Sequence, residues 1–523
     1  MKRRTFIQHG ATFSCSLPFL MNGMSIGAAV HPMMAAAMNE DSDRVLILIQ
    51  LNGGNDGLSM IPPLNRYDRL ANHRRNILIP QNEVLKINNT VGFHPAMLRI
   101  KSELYDAGKA TVIQSVGYPN PIRSHFRSTD IMMTGSPAEE IWSSGWVGRY
   151  LDKSHPNYPY GYPNSDFPDP FAITMGSLIS LTCQGLASNY SLAIENPFRL
   201  FPIAEGAEDI APNTPYGEEL AFLRTSIVQT NAYSEVILKA ANKGANTVTY
   251  DVESNRLAKQ LKNVALLMSG GMRTKVYVVQ LGGFDTHAGQ AVEGSPSKGA
   301  YAELMVELSE GIATFMKDLR NQGMEQRVLA MTFSEFGRQI KENASFGSDH
   351  GTAAPMLMFG PCVSGGVIGD TPEIPAQLRS QEAIPMQYDF RNVYGSVLMD
   401  WMGMKEADVK QLLFNGFQYM PLIDCAATPT STQQLRRDET FQMEISPNPF
   451  HENTTISFEC GNELIRLSLF DANGAEIKVM INKYLQAGSH TLTLNMLGFP
   501  DGNYYCRISG AGQRQLTKSV VKL

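Results

Sequence analysis

No C-x-x-C pair occurs among the six cysteines, so a cysteine-ligated zinc site is not expected. Cys15 lies in an N-terminal leader, which leaves Cys183, Cys362, Cys425, Cys460 and Cys506. Of these, Cys460 and Cys506 could pair in an oxidising compartment. Charge is also sparse: charged residues make up 18% of the chain and the net charge is −6. No basic run or aromatic-interleaved basic patch occurs, so no nucleic-acid partner is expected. A membrane span needs ~20 consecutive apolar residues. Pro18, Asn22 and Gly23 interrupt the N-terminal apolar stretch, and no later stretch is long enough. What remains is a 523-residue chain, 43% hydrophobic, which predicts two or more globular domains.

The leader is read as an export signal over residues 1–37. Lys2-Arg-Arg-Thr-Phe-Ile7 is basic, a weakly apolar stretch follows, and Ala35-Ala-Ala37 offers a small-residue cleavage site. The arginine pair before Phe6 resembles a twin-arginine signal, which implies the twin-arginine translocase as a partner. A general secretory signal with two arginines is the alternative.

From residue 38 to 424 the chain alternates strand-like and helical runs. Arg44 to Leu51, Lys275 to Leu281 and Arg327 to Phe333 are continuous apolar runs, the pattern of buried parallel strands. Thr111 to Val116 and Pro355 to Gly360 read as further strands. His94 to Tyr105, Tyr250 to Met268 and Ala300 to Leu319 have helical spacing. This rhythm predicts an α/β domain with a doubly wound, mostly parallel sheet. The Pro-, Asn- and Tyr-rich stretch 150–215 reads as an irregular excursion near the site. A polar linker is expected over 425–440. Over 441–523 short alternating strands and turn signals predict a small all-β sandwich.

Ligands in open α/β sheets bind beyond the carboxyl ends of the strands. There the three apolar runs lead into Gly53-Gly-Asn-Asp-Gly57, Gly283-Phe-Asp-Thr-His287 and Ser334-Glu-Phe-Gly-Arg338, the last followed by Ser348-Asp-His-Gly351. Asp56, Asp285, His287, Asp349 and His350 are the candidate metal ligands, since carboxylate and imidazole together suit a hydrolytic metal centre. Asn55, Glu335 and Arg338 are the supporting residues. Ser124-His-Phe-Arg127 is the candidate reacting group. Ser124 is a nucleophile or a helix cap. His125 is a metal ligand or general acid. Arg127, or Arg123, can hold an oxyanion.

Two resemblances follow. Gly53 to Gly57, Ser124-His-Phe126, Gly282 to His287, Ser334 to Arg338 and Asp349-His-Gly351 together resemble the secreted bacterial family catalogued as domain of unknown function 1501. That family is related to sulfatases and alkaline phosphatases. The resemblance spans Arg44 to Met420 and implies an alkaline-phosphatase-like fold. It implies one metal site on Asp56, Ser124, Asp349 and His350, and a second on Asp285, His287 and a later histidine. No histidine lies between His350 and the C-terminal sandwich, so His125 or Glu335 substitutes or the second site is absent. Ser124-His-Phe-Arg127 also lacks the proline of the sulfatase C/S-x-P-x-R pattern, and formylglycine is not expected.

Ser446-Pro-Asn-Pro-Phe450, Thr454 to Phe458, Leu469 to Gly474, Gly502 to Tyr505 and Lys518 to Leu523 resemble the type IX secretion sorting domain. This implies export through the periplasm of a Bacteroidetes-type bacterium by the type IX machinery, to the cell surface or the medium. Taken together, the chain reads as an exported hydrolase of sulfate or phosphate esters, on small molecules or glycans, with a divalent cation (Ca, Zn, Mn or Mg). The alternative is a non-catalytic surface binding protein that retains the fold with a degenerate site.

Overall fold

The structure, a computed structural model, describes residues 43–200, 214–425, 443–460, 463–471, 476–486, 488–510 and 515–523. The expected leader and the linker beyond Cys425 lie outside these.

A nine-stranded sheet organises the larger region. Its strands are β1 (Val45–Asn52), β2 (Ala110–Gly117), β3 (Ala172–Met175), β4 (Ser191–Ile194), β5 (Val276–Gly282) and β6 (Val328–Phe333). After a hairpin of β7 (Arg338–Glu342) and β8 (Ser348–His350) come β9 (Ala354–Phe359), β10 (Gly366–Ile368) and β11 (Tyr388–Asp389). The spatial order is β10-β2-β9-β6-β1-β5-β3-β4, with β11 also beside β2. β1 pairs in parallel with β5 and β6, whereas β9 runs antiparallel to both β6 and β2. The hairpin explains that reversal: it turns the chain back at the carboxyl edge, so the next strand must run the other way.

β1 is buried on both faces. Val45, Ile47, Ile49 and Leu51 belong to one apolar cluster, and Leu46 and Leu48 to the other, as the two-residue period of a strand requires. Helices α3 (Pro215–Lys243), α4 (Arg256–Ser269) and α5 (Ala300–Asn321) pack on the first face, through residues such as Ile237, Leu261 and Leu308. Helices α1 (His125–Thr134), α2 (Trp146–Ser154) and α6 (Phe390–Asp400) pack on the second, through Ile131, Trp146 and Val397. Asn255 sets the start of α4 by accepting a hydrogen bond from the Ala258 N–H.

Some expectations shift. The stretch from His94 is not one α-helix but a 3₁₀ turn, Pro95–Met97, followed by a widened π turn, Ile100–Tyr105. The wider turn still buries Ile100 and Leu104. The 150–215 excursion contributes β3 and β4, which extend the sheet beyond β5. At four residues each, these strands are too short to show a period. The disulfide joins Cys362 to Cys425; Cys460 and Cys506 do not pair with each other.

The C-terminal region holds two antiparallel sheets. Met443–Ser446, Asn453–Cys460 and Gly488–Asn495 form one; Glu476–Leu485, Glu463–Phe470, Gly502–Ser509 and Gln515–Lys522 form the other. They close their own core, which includes Phe458, Leu467, Cys506 and Val520.

Candidate metal centre

β1, β5 and β6 end at one edge because they are parallel, and the loops beyond them converge there. Glycines permit the close approach. A Cβ at Gly53 (φ +126°) would lie 2.2 Å from the Asp285 backbone nitrogen, and one at Gly347 would lie 2.4 Å from the His287 carbonyl carbon. α1 brings His125 to the same edge. Its packing is fixed by Ser128, which bonds Tyr118 at the end of β2 at 2.8 Å.

Asp285 Oδ1 and His350 Nε2 form the centre, 3.3 Å apart. His125 Nε2 lies 3.0 Å from His350 Nε2 and 3.4 Å from Asp285 Oδ1. His287 Nε2 reaches the same pair, at 2.8 Å from His350 Nε2 and 3.2 Å from Asp285 Oδ1. The Phe336 ring packs against both His125 and His350, with centroids 4.9 and 4.8 Å away.

The second nitrogen of each ring is already committed. His125 Nδ1 donates to Glu335 Oε1 at 2.8 Å, His287 Nδ1 to Asp349 Oδ1 at 2.9 Å, and His350 Nδ1 to the Arg123 carbonyl at 3.0 Å. Carboxylate and carbonyl oxygens accept, so these contacts put the proton of each neutral imidazole on Nδ1. Three Nε2 lone pairs then face one carboxylate oxygen. Donors that share a tetrahedral cation at bonds of about 2.0–2.1 Å stand roughly 3.3 Å apart. His125, Asp285 and His350, whose donor atoms lie close enough to hold one ion, match that spacing. Carboxylate–histidine pairs of this kind are the usual outer support of metal-bound imidazoles.

Asp285 is oriented by Arg338, whose Nη2 lies 2.7 Å away. The same guanidinium bonds the carbonyls of Gly53, Gly54, Phe284 and Ser348, tying three loops together. Burial raises the Asp285 pKa, but the Arg338 hydrogen bond and charge hold it below its ordinary value. The Asn343 hydrogen bond, with His287, holds Asp349 low in the same way. Glu335 also accepts from the Gly53 N–H. Its side chain is 1% exposed and that of Arg338 0%, against 48% for Asp285 and 44% for His287. The cluster therefore has a buried floor and a solvent-facing mouth.

The other expected residues stand elsewhere. Asp56 is fully buried, and its Oδ2 is engaged by Arg74 at 2.6 Å, Ser59 at 2.7 Å and Gln290 at 2.5 Å. Desolvation opposes its charge, and Arg74 with the hydrogen bonds from Ser59 and Gln290 together outweigh that and keep its pKa low. Asn55 bonds Tyr301 and Met60. Arg127 turns away from the cluster to the Ser136 hydroxyl and the carbonyls of Pro137, Ala138 and Glu140. Ser124 occupies the cap position of α1, but its hydroxyl makes no cap bond and is exposed. Arg74, Gln290 and Asn343 carry no signal in the sequence; each is a lone polar residue outside any motif.

A family model described as "Protein of unknown function (DUF1501)" matches residues 114–413, more than half of the sequence. The chain belongs to the DUF1501 family. A second model, the secretion system C-terminal sorting domain, matches residues 444–522. This DUF1501 protein is therefore exported, through type IX secretion, to the cell surface or the medium. No curated protein matches the sequence. Among solved structures it is similar to the PsFucS1 sulfatase from Pseudoalteromonas sp., at 10% identity and a TM-score of 0.32, covering 89% of this chain and 88% of that one. It is also similar to the C-terminal periplasmic domain of EcEptC from Escherichia coli, at 11% identity and a TM-score of 0.33, covering 75% and 94%. A DUF3244 protein with an immunoglobulin-like β-sandwich from Bacteroides vulgatus matches at 17% identity and a TM-score of 0.13, covering 16% and 94%.

Proposed function

We propose that this DUF1501 protein is a metal-dependent hydrolase of sulfate or phosphate esters, borne on small molecules or glycans. His125, Asp285 and His350 hold the cation, and His287 supplies a further nitrogen beside it. The observation that carries this reading is the set of Nε2 lone pairs aimed at one carboxylate oxygen, each held by a partner on Nδ1. An imidazole-rich set suits zinc, whereas calcium and magnesium prefer oxygen. When bound, such a cation supplies Lewis acidity and makes a hydroxyl or water nucleophilic at neutral pH.

The chain's own groups do the rest. Glu335 and Asp349 keep the rings in the binding tautomer. Arg338 keeps Asp285 ionised. Ser124, which precedes His125 in the chain and makes no cap bond through its side chain, is the candidate nucleophile. The first N–H groups of α1 add a partial positive charge beside it. The order of the motifs along the parallel strands supports the alkaline-phosphatase-like reading of the fold. Export is proposed to begin at the twin-arginine translocase.

The test is turnover of aryl sulfate and aryl phosphate panels by the full mature chain. Activity should vanish on chelation and return with zinc or manganese. A protein that binds the cation yet turns over no ester would favour the surface-binding alternative.

A further inference from the structure

Beside the metal centre lies a cleft of about 490 Å³, within the range of small-molecule sites. It is walled by Tyr118, Asn120 and Arg123 from the segment before α1, and by Arg379, Gln381 and Glu382 from the loop before β11. Two connections bind it to the cluster. Arg123 gives its carbonyl to His350 Nδ1 and also lines the cleft. Thr352, two residues beyond His350, lines it as well.

The far wall is preformed. The Glu382 carbonyl accepts from the Ile340 N–H at 3.0 Å, the Ile384 carbonyl from Ala353 at 3.3 Å, and the Gln387 N–H donates to the Ser115 carbonyl at 2.8 Å. Those bonds pin the loop to β7, to the start of β9 and to β2.

The charge pattern is specific. Two arginines and one glutamate, Glu382, line the cleft, and the Glu382 carboxylate already accepts from the Arg379 backbone N–H. Arg123 Nη1 is shut off from solvent and has no hydrogen-bond partner among the described residues. A buried guanidinium nitrogen without an acceptor is costly, and an anionic oxygen entering the cleft would relieve that cost. Arg127 also has a buried Nη1 without a partner among the described residues, but its Nη2 is spent on loop carbonyls and the residue does not line the cleft.

We infer that this cleft is a specificity subsite for a second anionic group on the substrate, a sulfate, phosphate or carboxylate on the same scaffold as the reacting ester, held between Arg123 and Arg379. The inference deepens the hydrolase reading and rests on it for the identity of the reacting group. Arginine suits the task because its planar fork matches the oxygens of such anions.

The test uses the full mature chain, metal-loaded, with a disulfated disaccharide, its monosulfated counterpart and a uronic-acid-bearing monosulfated one. Equilibrium binding is measured by calorimetry for wild type and for Arg379→Ala, with metal content checked for both. Wild type should bind the doubly anionic sugars ~10-fold or more tightly than the monosulfated one. Arg379→Ala should erase that preference with its metal intact, and Arg379→Lys should restore part of it. The two doubly anionic arms decide between sulfate and carboxylate as the second group. Equal affinity for all three sugars, or a preference untouched in Arg379→Ala, would overturn the subsite. Because binding is read without turnover, an absence of hydrolysis counts against the hydrolase reading alone.

Discussion

Glu335 accepts the Nδ1 proton of His125 at 2.8 Å, and its own second tie is to the Gly53 N–H. One buried carboxylate thus joins the loop after β1, the loop after β6 and the start of α1. Asp349 does the equivalent for His287. Neither carboxylate needs to touch a cation to matter. Glu335→Gln, which keeps an acceptor but removes the charge, and Asp349→Ala should each weaken zinc affinity about 10–100-fold. Competition with a chelating dye measures this; unchanged affinity in both would mean the ring tautomers are not what binds.

Asp56 and Arg74 form a buried ion pair, each side chain 1% exposed. Breaking it leaves one charge buried without its partner, at a cost of about 3–5 kcal/mol. Arg74→Met should therefore lower stability by that amount in a denaturant melt, and Asp56→Asn should destabilise while leaving metal content intact. An Asp56→Asn variant of normal stability that has lost its cation would make Asp56 a ligand instead.

Much of the fold was legible in the sequence because the strands buried on both faces are continuous apolar runs. β1, β5 and β6 begin and end within a residue or so of those runs. The convergence of Asp285, His287 and His350 followed from strand ends on one edge. The role of Asp56 was not legible, since its partner Arg74 lies in a loop with no pattern of its own. The direction of Arg127 was hidden for a related reason: its acceptors are backbone carbonyls, which every residue carries. His125 stood open between ligand and acid, because the sequence does not show how close its Nε2 lies to His350 and Asp285.

Ser124 makes no cap bond through its side chain, so Ser124→Ala removes no capping hydrogen bond. Stability should change by no more than ~0.5 kcal/mol. If Ser124 is the nucleophile, ester turnover should fall by ~10²-fold or more. Full turnover in this variant would move the nucleophile to a water or another hydroxyl.

His94 gives a pH signature. Burial pushes its imidazole down to about 4, against a weaker opposing pull from Asp56. The unfolded residue titrates near 6.5. Between these values the unfolded chain binds more protons, so stability falls as pH drops from about 6.5 to about 4 and this contribution is constant outside that window. The loss should approach ~3 kcal/mol. His94→Asn keeps an acceptor for the Ala96 N–H, which His94 Nδ1 now serves. The variant should show a shallower pH dependence than wild type in that window. Parallel profiles would show that His94 is not buried neutral.

The central claim is that His350 and Asp285 lie at the heart of a metal centre shared with His125. Its most direct test is the molar ratio of divalent metal to full mature chain, by elemental analysis after dialysis, in wild type and His350→Ala. Wild type should hold close to one bound ion per chain, and a folded His350→Ala should lose it. A wild-type chain without metal after incubation with zinc and manganese, or a His350→Ala variant with undiminished metal, would contradict it.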